Sequence, residues 1–175
     1  MKNPFAYLTG VRKKLKDPYW RAKCDYITYY ETLPIEEHVI LLEAQNATKI
    51  DGNMFYLLKY MLSSEKYRTY KIYVSSWIRY QKKIRTIFAQ EKMEHVKLVV
   101  YASDEYVRLL ASAKYLITDN TFPNYYIKKE GQVYFNTWHG TPLKTLGRQI
   151  QNDIAIGNAQ KNMVVADYLL YPNQF

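Results

Sequence analysis

From residue 39 onward, two kinds of hydrophobic pattern alternate along the chain. Short apolar runs predict strands buried on both faces. These predicted strands are residues 39–46, 70–76, 96–103, 115–119, 132–138 and 168–172. Helical spacing of apolar residues predicts helices between them, at residues 51–65, 78–93, 104–113 and 154–167. This alternation predicts an α/β fold, with a Rossmann-like parallel sheet and helices on both faces.

The first 34 residues differ from the rest in pattern and charge. Residues 1–23 carry seven Lys or Arg against one acid, which is +6 of the formal net charge of +9. A short helix over residues 3–17 would place an apolar stripe among basic residues, as in helices that lie on anionic membranes. A surface helix docked on its own domain fits the pattern equally well. The predicted membrane-contact residues are Phe5, Leu8, Arg12, Lys13, Lys14 and Lys16.

Length and composition limit the class of protein. The 175 residues suit one domain of ordinary size, which we divide into a basic amphipathic helical arm (1–34) and a Rossmann-like α/β domain (35–175). A hydrophobic content of 48% argues against general disorder. Cys24 is the only cysteine, so no intrachain disulfide forms. With no apolar run of 18 residues and no signal-peptide pattern, we expect a cytoplasmic protein.

A histidine follows one predicted strand in "FNTWHGTPLKTLG", residues 135–147. His139 falls at the carboxyl end of that strand, where open parallel sheets bind their ligands. Gly140 permits a sharp turn, Thr141 suits a helix N-cap, and Pro142 suits the first helical position. The sequence therefore predicts a strand–turn–helix with a histidine at the turn.

This turn predicts an anion site with a proton acceptor beside it. The free N–H groups of the following helix favour a phosphate, and Lys144 adds a positive charge in the first turn. An imidazole at position 139 can take a proton from a hydroxyl at neutral pH. His38 and His95 instead lie before strands, at the opposite edge, and are interpreted as structural or solvated.

Three further polar residues end neighbouring predicted strands. Asp119 and Asn120 lie at the end of the predicted strand 115–119, and the carboxylate of Asp119 could hold His139 in one tautomer. Ordinary turn chemistry before Thr-Phe-Pro explains the same two residues. Glu43 lies within an apolar strand and either faces the same crevice or pairs with a lysine. The sequence contains no Asp-rich cluster, so we assign no metal and no cofactor.

Residues 39–148 resemble the CDP-glycerol glycerophosphotransferase family of wall teichoic acid synthesis. The resemblance rests on "NTWHGTPLKTLG", "YLITDNTFPNYY", "KKEGQVYFNTWHG" and "LLEAQNATKIDGNMFYLLKYML". The final "YLLYPNQF" resembles the strand that closes the amino-terminal half of the family's enzymes.

The resemblance implies a glycosyltransferase-B-like enzyme with two Rossmann-like domains. The carboxyl-terminal domain would hold CDP-glycerol or a related CDP-polyol, and the amino-terminal domain would face a lipid-linked acceptor at the inner face of the membrane. His139 matches the family's proposed base. From the residues themselves, we predict that Asp119 is catalytic together with His139. The predicted substrate-binding residues are Gly140, Thr141, Pro142, Lys144, Asn120 and Glu43. Only the amino-terminal half is present, so we expect this chain to be inactive alone.

Two other functions fit the composition. A nucleic-acid-binding module would use the positive charge and the 19 Tyr for phosphate contacts and base stacking. The sequence contains no RNA-recognition, KH or zinc signature, and we predict no nucleic-acid partner. A non-catalytic membrane-surface module of the same fold remains the second alternative.

Overall fold

The computed structural model describes residues 16–138 and 152–170. Five α-helices and six strands follow one another in this part of the chain. The helices are α1 (Pro18–Thr32), α2 (Gly52–Ser63), α3 (Ile78–Gln90), α4 (Asp104–Ser112) and α5 (Asp153–Val165). The strands are β1 (Glu36–Glu43), β2 (Lys71–Ser76), β3 (Val96–Val100), β4 (Ala113–Thr118), β5 (Val133–Asn136) and β6 (Tyr168–Leu169).

The six strands form one parallel sheet in the order β3-β2-β1-β4-β5-β6. The chain first builds outward from β1 to β3, then crosses to the other side of β1 and builds outward from β4 to β6. This is the doubly wound arrangement with a reversal between β1 and β4. The fold class predicted from the sequence is confirmed.

Each face of the sheet is covered by its own helices and its own apolar cluster. Along β1, Val39 and Leu41 enter one cluster, whereas Ile40 and Leu42 enter the other. Residues of α1, α4 and α5 pack with the first cluster, and residues of α2 and α3 pack with the second. A strand buried on both faces has no polar side, which explains the continuous apolar run at residues 39–42 of β1.

Several predicted boundaries are wrong by a few residues. β1 occupies Glu36–Glu43 rather than residues 39–46, because Gln45–Ala47 form a short 3-10 turn. β3 ends at Val100 rather than at residue 103. β5 ends at Asn136 rather than at residue 138, because the left-handed backbone of Trp138, with φ +48°, ends the extended strand.

α1 lies within the arm of residues 1–34 that the sequence predicts to be helical, although its bounds were not predicted, and it packs against the sheet domain. Asp17 is its N-cap and accepts a hydrogen bond from the N–H of Tyr19 at 2.9 Å. Tyr26 is fully buried in the first cluster and donates to the carbonyl of Ile127 at 2.6 Å. Among the described helices, none is both long and apolar enough to cross a bilayer. The division into residues 1–34 and 35–175 stays a prediction.

Candidate functional site

The polar residues singled out in the sequence lie where the strand order reverses. β1 and β4 are hydrogen-bonded neighbours, and Glu43 pairs with Thr118 at their carboxyl ends. In doubly wound sheets the ligand crevice lies outside the strand ends at this reversal. Asp119 and Asn120 follow β4 directly, so Glu43, Asp119 and Asn120 belong to the same edge of the sheet.

The loop after β1 holds an uncommon backbone conformation at this position. Gln45, Asn46 and Ala47 have φ values of 48°, 54° and 61°, all in the left-handed region. Such conformations cost roughly 1–3 kcal/mol for each non-glycine residue and persist only where the surroundings fix them. Strained backbone of this kind concentrates at functional sites, which makes this loop a candidate ligand-contacting element.

Two neighbouring elements hold the left-handed loop. The carboxylate of Asp119 accepts hydrogen bonds from the backbone N–H of Gln45 at 2.8 Å and from its side-chain amide at 3.2 Å. The backbone N–H of Trp77 donates to the carbonyl of Ala47 at 2.9 Å, and the indole N–H donates to the carbonyl of Asn46 at 3.2 Å. The ends of β4 and β2 thus fix the loop that follows β1.

Left-handed residues are concentrated at this edge. Of the six described non-glycine residues with positive φ, five follow the carboxyl ends of β1, β3 and β5. Besides the three in the β1 loop, these are Ala102 and Trp138, with φ values of 61° and 48°. Lys92, after α3, is the exception. The carboxyl edge therefore carries most of the unusual backbone geometry in the described chain.

Glu43 lies just beneath this edge, in a buried network. It is 1% exposed, and its Oε2 accepts hydrogen bonds from the hydroxyls of Ser75 at 2.8 Å and Tyr106 at 2.9 Å. The pKa of the Glu43 carboxyl is raised to about 7, mainly by burial and to a lesser extent by the nearby Asp119, against the lowering effect of the two hydroxyl donors. The sequence left open whether Glu43 faces the crevice or pairs with a lysine. In the structure its side-chain hydrogen-bond partners are the two hydroxyl groups and not a lysine.

Aromatic side chains cover Glu43 on the side of β2 and β3. Tyr106 stacks with Tyr101 at a centroid distance of 4.9 Å, and Tyr101 packs against Trp77 at 4.5 Å. Burial raises the pKa values of the Tyr101 and Tyr106 phenols well above their usual range, so both are neutral at physiological pH. Trp77 is 39% exposed and forms the outer end of this row, just after the carboxyl end of β2.

Asn136, at the end of β5, connects two strand ends. Its side-chain amide donates to the carbonyl of Asn120 at 2.8 Å, and its Oδ1 accepts from the backbone N–H of Trp138 at 2.8 Å. The backbone N–H of Thr137 donates to the carbonyl of Thr118 at 2.9 Å, which continues the pairing of β5 with β4. Trp138, the residue before position 139, is thus anchored at the same edge as Asp119.

A buried amide network extends from Asn136 to α5. The Asn136 amide also donates to the Tyr134 hydroxyl at 3.2 Å, and Tyr134 donates to Oδ1 of Asn162 at 2.9 Å. Asn162 is fully buried, and its Oδ1 also accepts from the backbone N–H of Phe122 at 2.9 Å. This network joins the loop after β4, strand β5 and helix α5.

Most of the predicted site residues lie outside the described residues. These are His139, Gly140, Thr141, Pro142 and Lys144, together with Phe5, Leu8, Arg12, Lys13 and Lys14 of the arm. Lys16 is described and is exposed beside α1. The structure thus brings together Glu43, Asp119 and Asn120, while the roles predicted for the whole set stay predictions.

The opposite edge of the sheet carries His38 and His95. His38 lies near the start of β1, with Nδ1 3.5 Å from the Thr69 hydroxyl and its ring 5.0 Å from that of Tyr70. A cavity of about 420 Å³ at this edge is lined by Arg68, Tyr70 and His95. It is far from the strand ends where parallel sheets bind ligands, so we place the candidate site at the carboxyl edge instead.

The sequence analysis missed several residues that shape this edge. Ser75, Tyr106 and Gln45 hold the two carboxylates, and Asn136 joins two strand ends. One signal was present: Asn136 is an amide within an otherwise apolar strand. The others are ordinary residue types whose role depends on contacts between distant parts of the chain.

Comparison with known proteins identifies relatives with one shared description. Residues 26–175 match the family described as CDP-glycerol:poly(glycerophosphate) glycerophosphotransferase. The teichoic acid poly(glycerol phosphate) polymerase of Bacillus spizizenii is 24% identical over 151 residues, which are 82% of this chain and 36% of that protein. The polymerase of the same description from Staphylococcus epidermidis is 33% identical over 81 residues, which are 42% of this chain and 11% of that protein.

Solved structures agree in fold. The wall teichoic acid polymerase TagF superimposes with a TM-score of 0.65 at 20% identity, over 99% of this chain and 43% of that one. A variant of TagF soaked for 15 minutes with CDPG gives a TM-score of 0.68 at 22% identity, over 95% of this chain and 43% of that one. The chain thus spans less than half the length of these relatives.

The family match covers most of the chain and includes every strand of the sheet described above. We conclude that this protein belongs to the CDP-glycerol:poly(glycerophosphate) glycerophosphotransferase family.

Proposed function

We propose that this chain is the acceptor-side, amino-terminal domain of a CDP-glycerol, or related CDP-polyol, glycerophosphotransferase of teichoic acid synthesis. One observation carries the proposal beyond family membership. β1, β4 and β5 end at one edge of the sheet, so that Glu43, Asp119 and the residue before His139 lie on the same side of the fold. A relative of the same family has been soaked with CDPG, which supports a CDP-glycerol donor.

In the proposed reaction, the acceptor hydroxyl attacks the β-phosphate of the donor. The imidazole of His139 takes the hydroxyl proton as the new oxygen–phosphorus bond forms. The bond between the β-phosphate and the bridging oxygen breaks, and CMP leaves with that oxygen. The rate of this step depends mainly on positioning of the reactants and on stabilisation of phosphate charge. The base adds a further contribution by accepting the hydroxyl proton.

Asp119 has two roles in this proposal. Its carboxylate holds the left-handed loop after β1 through Gln45, which shapes the floor of the crevice. Its negative charge also favours the protonated form of a neighbouring imidazole, and so stabilises His139 after proton transfer. Glu43 and Asn120 support the same region from within the protein, through the contacts described above.

The turn after His139 supplies the proposed phosphate contacts. Gly140 would let the backbone approach the ligand, and the helix predicted to begin at Thr141 and Pro142 would offer its free N–H groups to the anion. Lys144 adds a positive charge. The basic residues Arg12, Lys13, Lys14 and Lys16, with Phe5 and Leu8, would hold the domain against an anionic membrane that carries the lipid-linked acceptor.

Replacement of His139 tests the proposal. In an enzyme that contains both halves, His139→Ala should lower CMP release from CDP-glycerol by about 10²–10⁴-fold, the usual contribution of a general base. Circular dichroism should show an unchanged fold. His95→Ala, at the opposite edge of the sheet, is the matched control and should retain the unmodified rate.

Two results would contradict the proposal. One is an unmodified rate for His139→Ala. The other is CMP release by the 175-residue chain alone in the presence of lipid-linked acceptor, because the donor is proposed to bind to the other half.

A further inference from the structure

One face of helix α5 presents three polar side chains to the loop that follows β4. They are Asn158, Lys161 and Asn162, whose spacing of three and four positions places them on the same side of the helix. Asn162 bonds to both the N–H and the carbonyl of Phe122, and Asn158 donates to the same carbonyl at 3.0 Å. The helix thus holds the backbone of the loop through hydrogen bonds.

Lys161 makes three further hydrogen bonds to this loop. Its ammonium group donates to the backbone carbonyls of Pro123 at 3.3 Å, Asn124 at 2.9 Å and Tyr126 at 2.9 Å. These bonds use all of the N–H donors that a lysine carries. Within the described residues, Lys161 forms no ion pair with a carboxylate. The carbonyls therefore replace the water that this half-buried charge has lost.

The three carbonyls converge because this part of the loop is a tight turn. The N–H of Tyr126 donates to the carbonyl of Pro123 at 2.9 Å, which closes the turn. Carbonyl oxygens directed at one point form a cup of negative partial charge, the kind of surrounding in which proteins hold a small cation. Without a cation at that point the oxygens would repel one another and the turn would open. We call the turn at residues 123–126 the carbonyl cup.

The carbonyl cup lies close after the candidate site in the chain. Asp119 and Asn120 come shortly before it, and Asp119 fixes the left-handed loop through Gln45. Upstream of the cup, the carbonyl of Asn120 accepts from the Asn136 amide at 2.8 Å. The stretch that carries Asp119 and Asn120 is therefore held from two sides, by β5 at its start and by α5 at its end.

We propose that Lys161 is a positioning residue for the carboxyl-edge site and acts as a tethered cation in the carbonyl cup. It does not touch the substrate. It keeps the turn closed, and a closed turn keeps Asp119 and Asn120 in place at the edge of the sheet. The consequence for catalysis rests on the proposed function, whereas the cation cup is a property of the chain by itself.

Rescue by a small ammonium ion tests the cup in the 175-residue chain. Lys161→Ala removes the amine and leaves room for methylammonium, which offers the same N–H donors. The variant should unfold at a lower temperature than the unmodified chain. Methylammonium should raise its Tm by several degrees, because a ligand that binds only the folded state stabilises it. Tetramethylammonium has the charge but no N–H, and it should give no such recovery.

A second lysine supplies the matched control. Lys129 is also half-buried, and its amine donates to the carbonyls of Tyr30 at 2.6 Å and Leu33 at 2.5 Å, before the amino end of β1. Lys129→Ala should lower Tm as well, but at the opposite edge of the sheet from the candidate site. It leaves the carbonyl cup occupied by its own lysine, so methylammonium should not restore its Tm.

NMR of the isotopically labelled chain shows whether the cup positions the site. Lys161→Ala should shift the backbone amide of Asn120, and methylammonium should move that signal back toward its original position. Lys129→Ala should leave the Asn120 amide unshifted. Lys161→Met keeps the apolar stem of the side chain and blocks entry to the cup, so it should shift Asn120 without rescue. This variant gives the same test if Lys161→Ala does not fold.

Turnover by an enzyme that contains both halves tests the consequence for catalysis. Lys161→Ala should lower kcat for CMP release by about 10–100-fold, because misplacement of a group by about 1 Å can cost that much. The KM for CDP-glycerol should stay unchanged, because the donor is proposed to bind to the other half. Methylammonium should restore part of kcat, and Lys129→Ala should retain the unmodified kcat.

Two results would overturn the positioning role of Lys161. One is an unshifted Asn120 amide in Lys161→Ala and Lys161→Met. The other is an equal loss of kcat in Lys161→Ala and Lys129→Ala, which would show that lower stability alone causes the loss. An absence of methylammonium rescue in folded Lys161→Ala would overturn the cation cup. An unmodified rate for His139→Ala would refute the proposed function and would leave the Tm and NMR results for the cup as they stand.

Discussion

The buried carboxyl of Glu43 should make the protein less stable as the pH rises. Its pKa is raised by burial from an ordinary value of 4.5 to about 7 in the folded state. A raised pKa means that the folded protein holds the proton more tightly than the unfolded chain does. The corresponding stability is fully present below about pH 4.5 and is lost as the pH rises through about 7.

The size of this loss follows from the shift. Each pKa unit corresponds to ~1.4 kcal/mol, so a change from 4.5 to about 7 amounts to about 3 kcal/mol. Water screens the group little, because Glu43 is 1% exposed. A loss of about 3 kcal/mol is a large part of the total stability of a domain of this size.

The variant Glu43→Gln removes the titration while keeping an oxygen that accepts from Ser75 and Tyr106. We expect the unfolding free energies of the two proteins to be similar at about pH 4.5. At about pH 8 the variant should be more stable than the unmodified protein by about 3 kcal/mol, because only the unmodified protein loses stability as Glu43 ionises. Urea denaturation followed by circular dichroism at several pH values measures this difference. Asp119 titrates in both proteins, so its contribution largely cancels.

A second variant tests the physical cause. The Ser75 hydroxyl lowers the pKa of Glu43, so Ser75→Ala should raise that pKa further and deepen the loss of stability at high pH. Parallel stability curves for Glu43→Gln and the unmodified protein would refute the reasoning, because they would show that Glu43 does not change its protonation over this range.

Two further predictions concern stability. Asn162→Ala should lower the unfolding free energy by about 2–4 kcal/mol in urea denaturation, because it leaves the Phe122 N–H and the Tyr134 hydroxyl without their buried acceptor; a loss below 1 kcal/mol would contradict this. Lys92→Gly should raise the unfolding free energy by about 1 kcal/mol and increase Tm. The reason is that exposed Lys92 has a left-handed φ of 56°, which glycine adopts freely. An unchanged or lower Tm would show that the backbone at Lys92 is not strained.

The order of strands and helices could be predicted because a parallel sheet leaves a strong pattern. Strands buried on both faces appear as apolar runs, and the helices between them have one apolar side. The bounds of α1 within the predicted helical arm were missed because its apolar and polar residues do not separate into a clear stripe. Buried Tyr26 lies among other tyrosines and charged residues. The packing of α1 against α4 depends on tertiary contacts.

The chemistry of the carboxyl edge was predictable only in part. Glu43 and Asp119 could be identified as candidate site residues because they lie at the carboxyl ends of predicted strands, and parallel strands bring these ends together. The partners of Glu43 are 32 and 63 positions away along the chain, so no local pattern predicts them. The left-handed loop at Gln45–Ala47 contains no glycine and thus lacks the usual sequence signal for that conformation.

The most direct test of the central claim is a glycerol 3-phosphate titration of the isotopically labelled chain, followed by NMR. A phosphate site at the carboxyl edge predicts that the backbone amides of Gln45, Asn120 and Trp138 shift together, and that His139→Ala weakens the binding. Shifts confined to the opposite edge, around Arg68 and His95, would contradict the account.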